Sequence, residues 1–392
     1  MNAAPRTPWI TVVVLAGAGV AVALHVGKVP GAIPLLRADL GLGLTAAGWV
    51  VSIFNLVAAG AGLAVGLAAD RCGQARVALA GMLLVALASA LGAAAANAFV
   101  LLASRAIEGV GFILTAVSVP SLITRAAAPA DRRVALGLWG ANVPLGIGAM
   151  LLLGAPLLGS AGWRGVWLLA AALTLTAALA LFLVTRGRQP RAPTEQAPLT
   201  ARLRELATQR GPWVLAAIFA LYAGQYLAVV GFLPLILVEV DGASAPAAAA
   251  LSALVVLANV LGNLAAGFAL HAGARPQRLL TGASIAMAAG AALVFFAASG
   301  PWLRVAGGLL FSAVGGLIPG SLFALAPEHA PRPQLLSSVN GLMMQGSAAG
   351  QFALPPLAAA LATAGGGWNA AAAATLLAAT TVVALARLLR PR

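Results

Sequence analysis

The chain has 392 residues, of which 61% are hydrophobic and only 8% charged, with a formal net charge of +14. A soluble domain carries about 25% charged residues, so this composition excludes a water-soluble enzyme and points to an all-α protein that crosses the membrane repeatedly. The basic residues fall in short segments between apolar runs, which makes them a topology signal and leaves no nucleic-acid partner to expect.

A membrane helix needs about 20 mainly apolar residues. Twelve runs qualify, near residues 8–36, 45–69, 75–95, 98–124, 133–159, 164–185, 212–238, 246–271, 277–298, 301–326, 334–362 and 368–387. The first is too long for a secretory signal core and has no small-x-small cleavage site, so it reads as a span. Turn residues such as Gly-Pro, Asp-Gly and Pro-Arg-Pro punctuate the breaks. The segment "TRGRQPRAPTEQAPLTARLRELATQRG" is the longest polar stretch. Its Pro-rich start predicts a linker and "LTARLRELATQ" a short amphipathic helix. The chain thus divides into a six-helix half over 1–185, a linker over 186–211 and a second six-helix half over 212–392.

Lysine and arginine concentrate on the cytoplasmic side of a membrane. With the N-terminus inside, that side holds Arg6, Arg71, Arg76, Arg125, Arg132, Arg133, Arg186, Arg188, Arg191, Arg202, Arg204, Arg210, Arg275, Arg278, Arg332, Arg387, Arg390 and Arg392. The opposite loops keep Arg37, Arg164 and Arg304. Both termini are therefore expected in the cytoplasm of a bacterial-type inner membrane, with the arginine rim against anionic lipid. The single cysteine, Cys72, allows no intrachain disulfide.

Echoes recur at an offset near 200 residues. "GLAADRCGQAR" after the second span is answered by "GFALHAGARPQR" after the eighth. "LGLWGANVPLG" is answered by "NGLMMQGSAAG", and "VPSLI" near Pro120 by "IPGSL" near Pro319. Duplicated halves of this kind characterise many transporters.

These residues resemble the major facilitator superfamily. Its signature loop, G-x-x-x-D-R-x-G-R-[RK], is similar to Gly66 through Arg76, with Asp70, Arg71 and Gly73 in register and Gln74 and Ala75 replacing basic positions. The fourth-helix pattern R-x-x-x-G-x-G is met by Arg105, Gly109 and Gly111, and "GWRGVW" at 162–167 resembles the family's start of helix six. "KVPGAIPLLRADLGLGLTAAGW" and "NGLMMQGSAAGQFALPP" resemble the cyanate and nitroimidazole permease-like subgroup. The resemblance implies a twelve-helix fold in two pseudo-symmetric halves. It also implies a monomer, alternating access, and a central cavity lined by helices 1, 2, 4, 5, 7, 8, 10 and 11. Gly66, Asp70, Arg71, Gly73 and Arg76 would form a conformational latch, Asp70 meeting the start of helix 11 and arginines such as Arg125 or Arg133.

Ionisable residues inside a span are functional candidates. Arg105 lies seven residues into the fourth span, roughly 10 Å deep at 1.5 Å per residue, and Lys28 lies at similar depth in the first. With Glu108 and His25 they make one expected polar cluster. Arg105 and Glu108, three residues apart, either pair structurally or handle substrate and protons. Lys28, with no acid near it in sequence, either binds a substrate anion, snorkels, or pairs with Glu108. Glu108 is the expected proton carrier, with His25 second. The second half offers neutral polar residues instead: Tyr222, Gln225 and Tyr226; Ser252, Asn259 and Asn263; and Asn340, Met344, Gln345, Ser347 and Gln351. Asn55, Trp139 and Asn142 face them in the arrangement that the resemblance implies. No phosphate-binding glycine loop, His/Cys cluster or Gly-x-Ser-x-Gly elbow is present, so no cofactor, metal or enzyme activity is expected. The leading expectation is proton-coupled uptake of a small polar or anionic solute. The alternative is proton-antiporting export of lipophilic compounds, to which "GAPLLGSAG" in the fifth span lends a loose Gly-Pro motif.

Overall fold

The computed structural model describes residues 6–42, 44–186, 198–296, 300–365 and 367–389. The Pro-rich start of the linker, with Arg188 and Arg191, and the terminal Arg390 and Arg392 lie outside the described residues. Among the described residues the chain forms fifteen α-helices and no strand. They are α1 (Trp9–Leu40), α2 (Leu44–Cys72), α3 (Gln74–Ala93), α4 (Ala98–Ala126), α5 (Arg132–Gly140), α6 (Asn142–Ser160), α7 (Gly162–Thr185), α8 (Leu199–Thr208), α9 (Arg210–Glu239), α10 (Ala245–His271), α11 (Pro276–Phe295), α12 (Pro301–Gly315), α13 (Leu317–His329), α14 (Leu336–Ala364) and α15 (Ala371–Ala386).

Among the described residues, ten segments, with α5–α6 and α12–α13 each taken as one, are long and apolar enough to cross a membrane. Helices α2 and α14 complete the twelve-span pattern. The outward surface is greasy, with Ile10, Phe99, Leu152, Phe268 and Trp302 all more than half exposed. Such a surface suits hydrocarbon and not water.

Two spans read from the sequence as continuous are broken. The fifth divides at Ala141 into α5 and α6, and the tenth at Gly316 into α12 and α13. A proline ring clashes with the carbonyl four residues earlier and cannot bond to it. Pro144 does this to Gly140 and Pro319 to Gly315, so each helix stops where its proline dictates. The short break before α4 follows helix-start chemistry: the Asn97 side chain accepts a hydrogen bond from Val100 N at 3.0 Å.

Two compact units emerge. The first comprises Met1–Ala135, Asn142–Thr208 and Ala330–Gln345; the second comprises Leu136–Ala141, Gln209–His329 and Gly346–Arg392. In the first, α1 lies against α6, α7 and α4, while α3 lies against α4 and α7. Its core gathers Leu24, Val50, Leu101, Met150, Trp163 and Trp167. In the second, α11 lies against α12 and α15, and α10 against α12 and α13. Hydrocarbon gives helices no solvent-driven reason to associate, so close packing of small residues does the work. The glycine pair of the fourth span shows it. A Cβ on Gly109 would sit 2.7 Å from Phe54 O of α2, and one on Gly111 would sit 2.5 Å from Gly81 O of α3. Those two glycines draw α4 against both neighbours, and that approach brings Arg105 within reach of α1 and α2.

Candidate functional site

The first unit assembles the expected cluster. His25, Lys28, Arg105 and Glu108 are 0–2% exposed. Lys28 Nζ donates to Glu108 Oε1 at 2.5 Å, to Ser89 Oγ at 2.7 Å and to His25 Nδ1 at 3.0 Å. It also lies 4.5 Å from the Trp167 ring centroid. Arg105 Nη1 donates to Glu108 Oε2 and to His25 O, the latter at 2.9 Å, and Nε donates to Val50 O at 3.1 Å. The Phe54 ring covers its guanidinium at 4.8 Å. His25 Nε2 bonds Thr174 Oγ1 at 2.9 Å.

Of the three alternatives for Lys28, the structure shows the pairing with Glu108. Its partner lies eighty residues away in sequence, on another helix, and local spacing cannot reveal it. Arg105 and Glu108 do pair, but the pair is part of a larger network tying α1, α2, α3, α4 and α7 together. Ser89, Trp167 and Thr174 escaped the sequence reading. Only Trp167 carried a signal, through "GWRGVW". The rest of that motif builds a separate clasp: Arg164 pairs with Asp39, Trp163 Nε1 donates to Asp39 Oδ2 at 3.0 Å, and Arg164 Nη2 donates to Ala95 O at 3.1 Å. These bonds hold the Asp39 carboxyl below the usual carboxylate range.

At the Asp70 end, the signature residues meet the start of α14 within the same unit. Asp70 accepts from Ser337 N at 3.1 Å, Ser338 N at 2.8 Å and Ser338 Oγ at 2.6 Å. The carboxylate thereby caps a helix start. Burial nonetheless pushes its carboxyl above the usual range, against the pull of those serines. Gly66 is where the two helices touch, since a Cβ there would meet Ser337 O at 2.5 Å. Gly73 turns the chain with φ at +96°. The guanidinium beside Asp70 comes from Arg202 at 3.8 Å, on the linker helix α8, which sequence reasoning did not single out. Glu205 of the same helix pairs with Arg332. Arg71 and Arg76 are exposed.

Four further candidates sit in the first unit. Asn340 Nδ2 donates to Ser121 Oγ at 3.3 Å, and its Oδ1 has no hydrogen-bond partner among the described residues. Gln345 Oε1 accepts from Leu63 N at 3.3 Å. Asn142 is buried and Asn55 half-buried.

The second unit holds an aromatic row. Centroid separations run Trp139–Phe323 6.2 Å, Phe323–Phe219 5.7 Å, Phe219–Tyr222 6.2 Å, Tyr222–Tyr226 5.7 Å and Tyr226–Phe311 6.1 Å. Asn259 Nδ2 donates to Tyr222 Oη at 3.0 Å, and Asn263 Nδ2 to Asn259 Oδ1 at 2.9 Å. Gln351 Nε2 donates to Ser347 Oγ at 3.1 Å. Gln225 is fully buried, yet among the described residues neither its Nε2 nor its Oε1 has a hydrogen-bond partner; the same holds for Trp139 Nε1 and Ser252 Oγ. The three phenylalanines were missed, because an aromatic residue in an apolar span carries no distinguishing signal.

The second half is also not free of buried charge, as the sequence suggested. Arg304, read as a loop residue, lies in the first turn of α12 at 1% exposure and pairs with Asp241 at 3.0 Å. The helix starts at Pro301, where the apolar run begins, and its first turn folds the arginine inward.

Comparison with known proteins agrees with this architecture. The puromycin resistance protein pur8 of Streptomyces alboniger is 35% identical over 186 residues, covering 47% of this chain and 37% of its own. The multidrug efflux pump LfrA of Mycolicibacterium smegmatis is 31% identical over 172 residues, covering 44% and 34%. The chain thus matches about a third of the length of these curated relatives. Among solved structures, the fucose:proton symporter FucP of E. coli aligns with a TM-score of 0.81 at 18% identity over 99% of this chain and 100% of its own. The human organic anion transporter MFSD10 aligns with a TM-score of 0.78 at 16% identity over 98% and 100%. A family model, Major Facilitator Superfamily, matches residues 10–355. With nearly its whole length matched by that model, the chain is an integral membrane protein that belongs to the Major Facilitator Superfamily.

Proposed function

We propose that the chain is a secondary active transporter which takes up a small polar, uncharged solute by alternating access, driven by protons. The observation that carries this reading is Gln225. A buried amide left without partners costs about 1–3 kcal/mol, and Gln225 keeps both amide atoms unpartnered beside the Tyr222–Tyr226 row. A solute with hydroxyl or amide groups satisfies it, and the rings supply a flat apolar wall. An anionic solute fits less well, because Lys28 and Arg105 are both committed to Glu108. The cluster on α1 and α4 is the proton-responsive element of this reading. The arginine distribution supports an inner-membrane location with both termini in the cytoplasm, and the fold class supports a monomer.

A second reading is export of lipophilic compounds in exchange for protons. The similarity to the puromycin resistance protein pur8 and the multidrug efflux pump LfrA favours it, as does the aromatic row.

The test is dissipation of an imposed pH gradient in reconstituted vesicles. Neutral polyols, sugars and amides are added on one side, and puromycin and methyl viologen in parallel. Gradient loss with a polar neutral probe, abolished by Gln225→Leu in a protein of undiminished thermal stability, is expected. Response to puromycin or methyl viologen alone overturns uptake in favour of export.

A further inference from the structure

Lys28 is the only lysine in the chain; every other strongly basic side chain is an arginine. The one cation able to lose a proton under biological conditions therefore stands in the middle of the buried cluster, since a guanidinium keeps its charge in proteins. The groups facing it are His25 on its own helix, Ser89 on α3, Arg105 and Glu108 on α4, and Trp167 and Thr174 on α7. Helix α6, also packed on α1, has no ionisable side chain.

Two backbone carbonyls fix the hydrogen-bond directions. Ser89 Oγ donates to Trp167 O at 2.8 Å, and Thr174 Oγ1 donates to Ala21 O at 3.2 Å. Each hydroxyl has one proton, so Ser89 must accept from Lys28 and Thr174 must accept from His25. His25 therefore carries its proton on Nε2 and presents a bare Nδ1 to the lysine. The three N–H groups of an ammonium then meet three acceptors: Glu108 Oε1, Ser89 Oγ and His25 Nδ1.

In this arrangement the cluster holds two cations and one carboxylate, a net charge of +1 away from water. Protonating Glu108 raises it to +2. Releasing one proton from Lys28 brings it to zero, and uncompensated buried charge is what a low-dielectric interior resists most. We propose that Lys28 takes up and gives up the transported proton, with Glu108 as the fixed counter-ion of Arg105. This rests on the proton-coupled reading above.

Release breaks one N–H bond and passes the proton to water admitted when alternating access opens the cluster. The amine left behind has two N–H groups and a lone pair. When the bond lost is the one directed at His25 Nδ1, the lone pair faces another bare nitrogen, and the imidazole relieves this by giving up its Nε2 proton as it takes one at Nδ1. Thr174 Oγ1 then loses the N–H donor it accepted from, and the contact between α1 and α7 rearranges. Lys28 chemistry is thereby converted into a change of helix contacts without any movement of Glu108.

The single lysine makes the test direct. Protein labelled with 15N-lysine gives one side-chain Nζ signal. We expect it to change from ammonium to amine below about pH 9, where a lysine in water is still an ammonium, with the His25 ring nitrogens exchanging tautomer in the same step. Glu108→Gln should move the transition to lower pH, because the ammonium has lost its counter-ion. An Nζ signal that remains ammonium throughout, or a transition unmoved by Glu108→Gln, overturns the proposal. In reconstituted vesicles, Lys28→Arg should keep the charge and lose proton coupling. If wild type couples and Lys28→Arg still couples, the lysine assignment fails and transport stands. If wild type moves no protons with any probe, the transport reading fails, and the Nζ titration still decides Lys28.

Discussion

Removal of the Glu108 carboxylate tests the energetics of the buried cluster. Glu108 receives Lys28 at 2.5 Å on one oxygen and Arg105 on the other, and all three side chains are at most 2% exposed. Below the pH at which Lys28 gives up its proton, Glu108→Gln leaves two cations facing each other without an acid. Breaking a buried ion pair from one side costs about 3–5 kcal/mol. Lys28→Met instead leaves the neutral Arg105–Glu108 pair, and its cost is the lost donors to Ser89 and His25, about 1–3 kcal/mol. The double variant keeps one cation, Arg105, still bonded to Val50 O and His25 O. Its destabilisation should fall between the two single variants, so that removing Lys28 rescues Glu108→Gln. Thermal unfolding of the four proteins in nanodiscs should therefore rank wild type first, then Lys28→Met, then the double variant, then Glu108→Gln. The deficit from additivity should exceed about 1 kcal/mol, in the range seen for residues sharing one network. A double variant that melts below Glu108→Gln by the full Lys28→Met increment would refute the reasoning, since the two groups would then act independently.

Three other outcomes are expected. Gly111→Val puts a side chain against Gly81 O and should cost at least the 1–3 kcal/mol typical of overpacking, read as a lowered melting temperature; the exposed Gly282, with open space around its Cβ position, should tolerate the same change. Asp70→Ala removes the acceptor of two backbone amides, and the exchange of the Ser337 and Ser338 amides with deuterium should rise by about tenfold, equivalent to 1.4 kcal/mol. The Asp39 clasp should respond to acid. Arg164 and Trp163 hold its carboxyl below the usual range, so the contribution is present above the unfolded value of about 3.9 and is lost as pH falls through the folded one. The Trp163 indole signal should shift in that window, and Asp39→Asn should abolish the shift.

The sequence by itself determined the class of molecule and its helices. Apolar runs of the right length, arginines gathered in alternate loops and the signature around Asp70 follow from what lipid permits, and lipid forbids nearly everything but helices. It also placed Lys28, Arg105 and Glu108 at compatible depth, because depth is only a count of residues along a helix. Tertiary structure alone decided who meets whom. Lys28 found Glu108 across eighty residues; Arg202 of the linker helix came to rest beside Asp70; and Arg304 turned inward to Asp241. Those pairings depend on how closely helices approach and how each is rotated about its axis. The approach is set by backbone contacts at glycines such as Gly109 and Gly111, and the charge pattern of a single helix does not encode it. The same is true of Gln225. Its place in an apolar helix is plain in the sequence, but that no group among the described residues satisfies its amide emerges only when the helices around it are packed.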